Sequence, residues 1–261
     1  MANLSNYCFA KTTPLLAVSL LAGGLLFSGT SQAAPKHPPV QLVPYEANYS
    51  ATLSGVPING KAKRSLVRNS DNTWTLSFNA SMLIYNFDEE SHFTFNNGKI
   101  QPKKYALEKG ALGKGKSASV EFDWGKKFAQ SRENEKNWKV PLQPDDLDGI
   151  SYQQQLQYDV SAGLKGLSYT VIDKGKRNTY SFVVDGDEML ETPAGSLKTV
   201  RLKMVRKNKK RETWIWLAKD WNDLLVKLKQ SEKGKDYIVT LADGTVNGKS
   251  VQGVVKQEKP Q

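Results

Sequence analysis

The chain has almost no cysteine. One thiol, Cys8, stands among 261 residues, and it precedes the first apolar run. A lipoprotein leader needs its cysteine at the cleavage site, so Cys8 excludes lipidation by that route. No intrachain disulfide can staple the fold, which must hold by core burial alone, and no cysteine nucleophile follows the leader. Histidine is nearly as scarce, with His37 and His92 only. His37 lies in a Pro-rich stretch, so a triad or metal site built on imidazole has only His92 to use. No nucleophile-elbow glycine–serine pattern is present. Long apolar runs are also missing. The exception, Pro14–Phe27, is shorter than the roughly 20 residues a membrane-spanning helix needs.

That one run reads as the core of a secretory signal peptide spanning residues 1–33. Lys11 is its only charged residue, and Ser31-Gln32-Ala33 places small residues where a signal peptidase reads. Cleavage is expected after Ala33, because a cut after Ala34 would put Pro35 at the scissile bond. The alternative is an uncleaved anchor. With the leader removed the chain is expected in the periplasm, and not as an integral membrane protein. Lys and Arg number 37 against 26 Asp and Glu, a net charge of +11. Such a chain is drawn to anionic lipid and glycan surfaces, while export argues against nucleic acid as a partner.

Beyond the leader, residues 34–43 are Pro-rich and read as a linker. A single β-rich domain is expected over 44–242, followed by a flexible polar tail over 243–261. Within the domain the period is two. Tyr45, Ala47, Tyr49, Ala51 and Leu53 alternate with polar residues, as do Trp74, Leu76 and Phe78, and Ala118, Val120, Phe122 and Trp124. Ser168–Val184 reads as a hairpin turning at Lys174-Gly175. Further turn signals fall at Ser54-Gly55, Asn97-Gly98, Lys233-Gly234 and Asp243-Gly244. Strand after strand at short spacing implies an antiparallel sheet with one buried face and one wet face. Pro144–Val160 departs from the pattern and predicts the one long helix, over residues 145–160, with Asp145 or Asp146 at its N-cap. Its apolar residues form two stripes, so something must cover it on both sides.

Gly110–Ser117, "GALGKGKS", fits the nucleotide-binding P-loop pattern at every position. That loop works because a helix follows it and the helix N-terminus meets phosphate. Here the residues after Ser117 alternate as a strand. The motif therefore predicts a hairpin tip, with no nucleotide and no cofactor implied. Asp88, Glu90 and His92 alternate along "NFDEESHFTF" and share a strand face opposite Phe87, Phe93 and Phe95. They could hold a divalent metal or position a water, the basis of an alternative reading as an envelope hydrolase. One strand supplies only part of a coordination shell, and an ordinary wet face explains the row as well.

"RETWIWLAKDW", Arg211–Trp221, is the most distinctive stretch. Trp214 and Trp216 share one face of a strand. On the preceding strand Arg201 and Lys203 alternate outward, and on the following one Lys227 and Lys229 do the same. A meander would bring all six onto one face. They form a candidate site for an anionic lipid, lipopolysaccharide or an envelope protein, or else lysine stems packed over tryptophan.

At these residues the chain resembles an exported bacterial family, domain of unknown function 3108. The resemblance is carried by "MLETPAGSLKTVRLKM" and "RETWIWLA", with "VPYEANYSATLSGVPINGKA", "VEFDW" and "WKVPLQPDDLDGISYQQQL" fitting as well. It runs from about Pro44 to about Leu241. "ETPAG" is its most specific part, and the chain departs from the family where "LAKDWNDLL" replaces a proline-containing turn. The family implies an exported, mostly β protein and no catalytic residue. Its strand pattern is similar to the half-barrel of periplasmic lipoprotein carriers. A sheet with one apolar face must cover it by closure, by a helix or by a ligand. The expected fold is mainly β: a long, curved antiparallel half-barrel with one helix packed on it, or alternatively a two-sheet sandwich. The expected function is non-enzymatic binding of an amphipathic or anionic envelope ligand. Intact-mass measurement of protein recovered from the periplasm should give a chain beginning at Ala34; full-length chain retained in membranes would refute the cleavage.

Overall fold

The computed structural model describes residues 41–53, 56–82, 85–111, 114–206 and 210–254. The leader and most of the linker lie outside them, as does the Ser54-Gly55 turn signal. In chain order the strands are β1 (Tyr45–Leu53), β2 (Val56–Arg68), β3 (Trp74–Met82), β4 (Tyr85–Asn96), β5 (Lys99–Ala111), β6 (Lys114–Asp123), β7 (Phe128–Glu133), β8 (Lys136–Pro141) and β9 (Asp146–Leu147). Helix α1 (Ser151–Ser161) follows, then β10 (Ser168–Asp173), β11 (Lys176–Thr192), β12 (Gly195–Val205), β13 (Arg211–Ala218), β14 (Leu224–Glu232), β15 (Lys235–Val246) and β16 (Lys249–Ser250). They build one sheet, not two. Its order is β8-β7-β6-β5-β4-β3-β2-β1-β15-β14-β13-β12-β11-β10-β9, with β16 beside β15. No helix among the described residues is long and apolar enough to cross a membrane.

Almost every connection is a tight hairpin, and the turns follow the sequence. Asn97-Gly98, Lys174-Gly175 and Lys233-Gly234 each pair two positive φ angles. That geometry matches the right-handed twist of the flanking strands. Asp243-Gly244 is not a turn. Both residues lie inside β15, and the chain turns at Asn247-Gly248 instead. The expected tail from residue 243 is likewise corrected, because β1 offers an unpaired edge that β15 follows as far as Tyr45↔Val246. Val251 is then buried, and Val254 exchanges backbone hydrogen bonds with Ser196 at 2.9 and 3.2 Å.

The "ETPAG" turn now has a physical reason. Thr192 Oγ1 accepts from the Ala194 amide at 3.2 Å and donates to the Gly195 carbonyl at 2.9 Å. Gly195 has φ +102°, and a Cβ there would stand 3.0 Å from the Gly253 Cα. The returning chain therefore crosses this turn backbone to backbone, which only glycine permits on both sides.

The helix is real but shorter than expected. Asp146 and Leu147 pair in parallel with Thr170 and Val171, so they extend the sheet instead of capping a helix. The N-cap position is Ile150, which has no side chain able to cap, and Asp148 just before it supplies the acceptor instead, its Oδ1 taking the amides of Ile150 and Ser151 at 3.1 and 2.8 Å. α1 lies inside the curve of the sheet and touches it on several sides. Gln154 meets Tyr45 of β1, Gln155 meets Gly98 and Ile100 at the β4–β5 turn, and Gln157 meets Asn222 after β13. It fills the end of the curve where the β4–β5 and β13–β14 turns lie.

The two ends of the sheet meet without a backbone ladder. Gly175 N donates to Ser131 Oγ of β7 at 3.0 Å, and Lys174 pairs with Glu133 at 2.8 Å. Arg177 reaches the Pro141 carbonyl at 3.1 Å and Asp146 at 2.5 Å. The Trp138 ring lies flat on Gly175, so close that a Cβ there would be 2.3 Å from Trp138 Cγ. These contacts make the half-barrel barrel-like. Gly234 has a similar positive φ but open space around it. Both Gly→Ala changes incur the left-handed penalty of about 1 kcal/mol. Gly175→Ala must in addition displace Trp138, and should cost at least about 1 kcal/mol more than Gly234→Ala in urea unfolding. Equal costs would mean that the seam carries no stability.

Candidate functional site

The outer face of β12–β13–β14 brings together all six residues expected there. Arg201 opposes Trp216 and Lys203 opposes Trp214, while Trp214 opposes Lys229 and Trp216 opposes Lys227. The intervening Leu202, Ile215 and Leu228 turn inward. Lys203 Nζ stands 4.4 Å over the Trp214 ring and Lys227 Nζ 4.8 Å over Trp216, with Arg201 at 5.4 Å from Trp214. Most of these cations also have a carboxylate. Arg201 pairs with Asp185 and Glu188, Lys203 with Glu212, and Lys229 with Asp236, all within 3.0 Å. Glu188 in turn accepts the Trp216 indole N–H. The face is an interlocked set of ion pairs over tryptophan, already neutralised by its own acids.

The Asp88, Glu90 and His92 row also faces outward. His92 Nε2 contacts Glu90 at 2.7 Å and its Nδ1 contacts Thr75 Oγ1 at 3.0 Å, while Asp88 accepts from Asn79 at 2.8 Å. The three side chains do not converge. Among the described residues no group of three His, Cys, Asp or Glu side chains is arranged to hold a metal ion. The P-loop-like segment forms the β5–β6 hairpin, with Gly110 opposite Gly115 and Lys109 opposite Lys116. With a strand on either side it has no helix N-terminus to aim at a phosphate.

The concave side holds a site that the sequence reading did not name. Because α1 fills one end of the curve, the other end stays hollow. Two chambers of about 370 and 410 Å³ occupy it, and Arg64, Glu89, Gln153, Leu225 and Leu228 line both. The first is polar toward its mouth, with Lys109, Asp173, Lys174 and Arg206. The second is walled by Tyr49, Phe78, Phe87, Tyr237 and Val239.

Arg64, on β2, is 3% exposed and marks the junction. Its Nε donates to Tyr45 Oη at 2.9 Å and its Nη1 to Gln153 Oε1 at 2.9 Å. Tyr45 Oη donates onward to Gln154 at 2.9 Å. All these partners are neutral, and no carboxylate among the described residues forms an ion pair with Arg64. A guanidinium does not give up its proton at any pH a protein meets. This is a buried positive charge whose hydrogen-bond partners are all neutral, beside a cavity, with the Glu89 carboxyl acting on it only through its field.

Glu89, on β4, is half-buried on the same floor and accepts from Tyr105 Oη at 2.6 Å. Burial pushes its carboxyl up to about 7, the buried Asp148 charge adds to that, and the Tyr105 hydrogen bond, Arg64 and Lys109 oppose it. Asp148 is raised by burial too, against the hydrogen bonds from Ser91, Ser151 and Ile150. Gly149, two residues before α1, packs onto this pair: a Cβ there would stand 2.5 Å from Tyr105 Oη and 3.0 Å from Glu89 Oε1. One signal for Glu89 was present in the sequence. It falls on the inward parity with Phe87, Phe93 and Phe95, where a carboxylate is out of place. Arg64 gives no comparable signal, since "KAKRSLVR" reads as a basic surface strand.

A barrel-like sheet plugged at one end by a helix, with an amphipathic lumen at the other, is the class of protein that this geometry defines. The chain matches the family described as protein of unknown function (DUF3108) over residues 45–240, and belongs to it. A search of curated proteins returns no match. Among solved structures the chain is similar to the crystal structure of a beta-barrel-like protein of domain of unknown function DUF1849 from Brucella abortus. The TM-score is 0.54 and the identity 12%, covering 79% of this chain and 99% of that one. At that identity the likeness is one of fold.

Glu89 makes a pH dependence calculable. Below its ordinary value of 4.5 the carboxyl is neutral whether the chain is folded or not, and above about 7 it is charged in both states. Between the two the folded protein keeps a proton that the unfolded chain releases. Stability should therefore fall as pH rises through that window, by about 2–3 kcal/mol in all. Urea midpoints across it should show the slope, and Glu89→Gln, which keeps the acceptor for Tyr105, should flatten it. An unchanged slope in that variant would place the titration elsewhere.

Proposed function

We propose that this is an exported cell-envelope protein that binds one amphipathic, anionic molecule in its lumen. The head group lies against Arg64 and the apolar part in the chamber of Phe78, Phe87 and Val239. The observation that carries the reading is Arg64 itself. A buried guanidinium with only neutral partners is costly unless an anion completes it, and this one stands where a polar chamber meets an apolar one. An anionic head with an apolar chain fits both halves at once. Chambers of this size suit a ligand on the scale of one acyl chain. The signal-like leader supports export, and the absence of a converging nucleophile or metal set among the described residues leaves binding as the better reading. The outer Arg201–Lys229 face is less suited to hold an anion, because its acids already occupy most of its cations.

The test uses 11-(dansylamino)undecanoic acid, which fluoresces on entering an apolar site, beside its uncharged alcohol analogue. The parent protein should bind the acid in preference to the alcohol. Arg64→Met should weaken the acid at least about tenfold, the scale of one charge-assisted hydrogen bond, and leave the alcohol nearly unchanged. If Arg64→Met binds the acid as the parent does, the head group does not lie on Arg64.

A further inference from the structure

The end of the lumen away from α1 differs in charge from the plugged end. The last residues of β1, β3 and β5 and the first of β2, β4 and β6 lie at the same end of the sheet, away from α1. The end of β12, the start of β13 and the β10–β11 and β14–β15 turns lie there too. Among the described residues this end carries Lys61, Lys109, Lys116, Arg206, Lys233 and Lys235, none of which forms an ion pair with a carboxylate. Arg206 has only a 3.4 Å contact with Thr213 Oγ1. Among the described residues the opposite end also holds lysines without an ion pair, such as Lys127 and Lys249, but sets acids among them. Asp71 sits in its β2–β3 turn, Lys126 pairs with Asp123 in the β6–β7 turn, and Lys219 pairs with Asp187 beside Asp220 and Asp223.

Lys109 and Lys116 sharpen the contrast. They are directly opposed across β5 and β6, so two like charges face the mouth side by side. Such a pair is destabilising unless something negative relieves it. Glu133, the acid whose titration Lys116 influences, is already taken by Lys174 at 2.8 Å, and Glu89 and Asp173 act on Lys109 through their fields without forming an ion pair with it. At the same end Tyr85 and Tyr237, each 40% exposed, wall the apolar chamber. A tyrosine placed between an apolar chamber and water is suited to the head-group layer of a bilayer, where one side of the ring is dry and the hydroxyl is wet.

We propose that this rim is a docking surface for an anionic lipid bilayer, which it meets with the lumen mouth facing the membrane. The unpaired cations supply the attraction, and the tyrosines mark the depth of contact. Charge complementarity selects the partner. A rim of unneutralised lysines spread around an opening matches a continuous anionic surface better than a single acidic group, and the field falls off within a Debye length, so that end must lead. The inference gains its purpose from the lumen reading, since an amphiphile held beneath the mouth would be exchanged with the membrane without crossing water. The surface itself does not require that reading.

The experiment is co-sedimentation of the leaderless protein with phosphatidylcholine vesicles that contain phosphatidylglycerol, against vesicles of phosphatidylcholine alone. The parent should bind the anionic vesicles, bind the neutral ones poorly, and lose the difference as salt rises. Lys116→Glu combined with Lys233→Glu and Lys235→Glu should reduce anionic-vesicle binding at least about tenfold, each charge near a membrane surface contributing roughly that scale. Lys126→Glu with Lys127→Glu, at the plugged end, should bind nearly as the parent does. Binding of the dansyl acid in both variants shows that fold and lumen survive. Failure of the parent to bind anionic vesicles overturns the docking surface, as does an equal loss in the two variants, which would reduce the effect to net charge. A parent that binds vesicles but not the dansyl acid leaves the rim standing and overturns the lumen reading alone.

Discussion

The structure depends on a polar helix seated inside a curved sheet. α1 has no dry face of the usual kind: Ser151, Gln154, Gln155, Gln157 and Asp159 are all buried. Each finds its partner on the surrounding strands or on the helix itself. Gln155 alone accepts the Ile100 amide and donates to both the Gly98 carbonyl and Asp159, while Tyr169 donates to Asp159 at 3.0 Å and Ser161 to Asp223. Among the described residues no buried side-chain polar atom is left without a partner. Polar groups satisfied in this way impose geometry as well as stability, because a shift of one residue along the helix would orphan several at once. The helix is thereby fixed at one depth, and that depth decides how much of the concave face it covers.

The cavity and its charge follow from that depth. Had the helix been apolar and longer, it would have filled the curve and left a packed core. Being short and anchored at the turn end, it stops at Gly149, against Tyr105 and Glu89, and the strands beyond it keep an inner face with no protein to cover it. Arg64 is part of the same network through Gln153 and Tyr45. Its burial is tolerable because those two groups hold it, yet neither neutralises it. Removing its charge by a substitution of similar volume need not destabilise the fold, as buried ionic groups often contribute little net stability. Stability therefore does not account for the charge, which is where the proposed recognition role enters.

The sequence showed local geometry well and long-range geometry poorly, and the particular residues show why. Period-two alternation and the Lys174-Gly175 and Lys233-Gly234 turns depend on neighbours a few residues apart, so they were legible. The hairpin around Lys109 and Lys116 was legible for the same reason, against the pull of a nucleotide-binding pattern. The outer cluster of Trp214 and Trp216 with Arg201, Lys203, Lys227 and Lys229 required only that three consecutive strands form a meander. Its acids were not anticipated, because Asp185, Glu188, Glu212 and Asp236 had no reason to stand out as partners. The N-cap failed because Asp145, Asp146 and Asp148 are equivalent in sequence, and only the parallel pairing of Asp146 with Thr170 separates them. The ordering of residues 243–254 depends on β1 and on the Gly195 turn, both far away in the chain. Arg64 was invisible because nothing local distinguishes a basic residue on a wet strand from one turned into a lumen.

The same kinds of cation thus serve two ends that differ only in their neighbours. On the outer face of β12–β14, a tryptophan plane or a carboxylate stands beside each Arg or Lys, and among the described residues all but Lys227 pair with an acid, so most of the charge is spent within the protein. Pairs of that sort, exposed and screened, contribute little to stability and project little field. Around the mouth, Lys61, Lys109, Lys116, Lys233 and Lys235 form no ion pair with a carboxylate among the described residues, although Lys235 faces Glu232 across β14 and β15, and Lys109 faces Lys116 across a hairpin. The excess of basic residues that gives the chain its net charge of +11 is therefore not spread evenly in its effect. Its field concentrates at the opening of a low-dielectric lumen, where Arg64 waits at the floor. Rim and floor both hold cations without an ion-pair partner among the described residues, Lys109 and Arg206 at the one and Arg64 at the other, with Asp173 and Glu89 as the acids beside them, so the proposed anion would find an excess of positive charge along its path. For the proposed ligand, that ordering of charge and apolarity along one axis sets the direction of entry, head group leading.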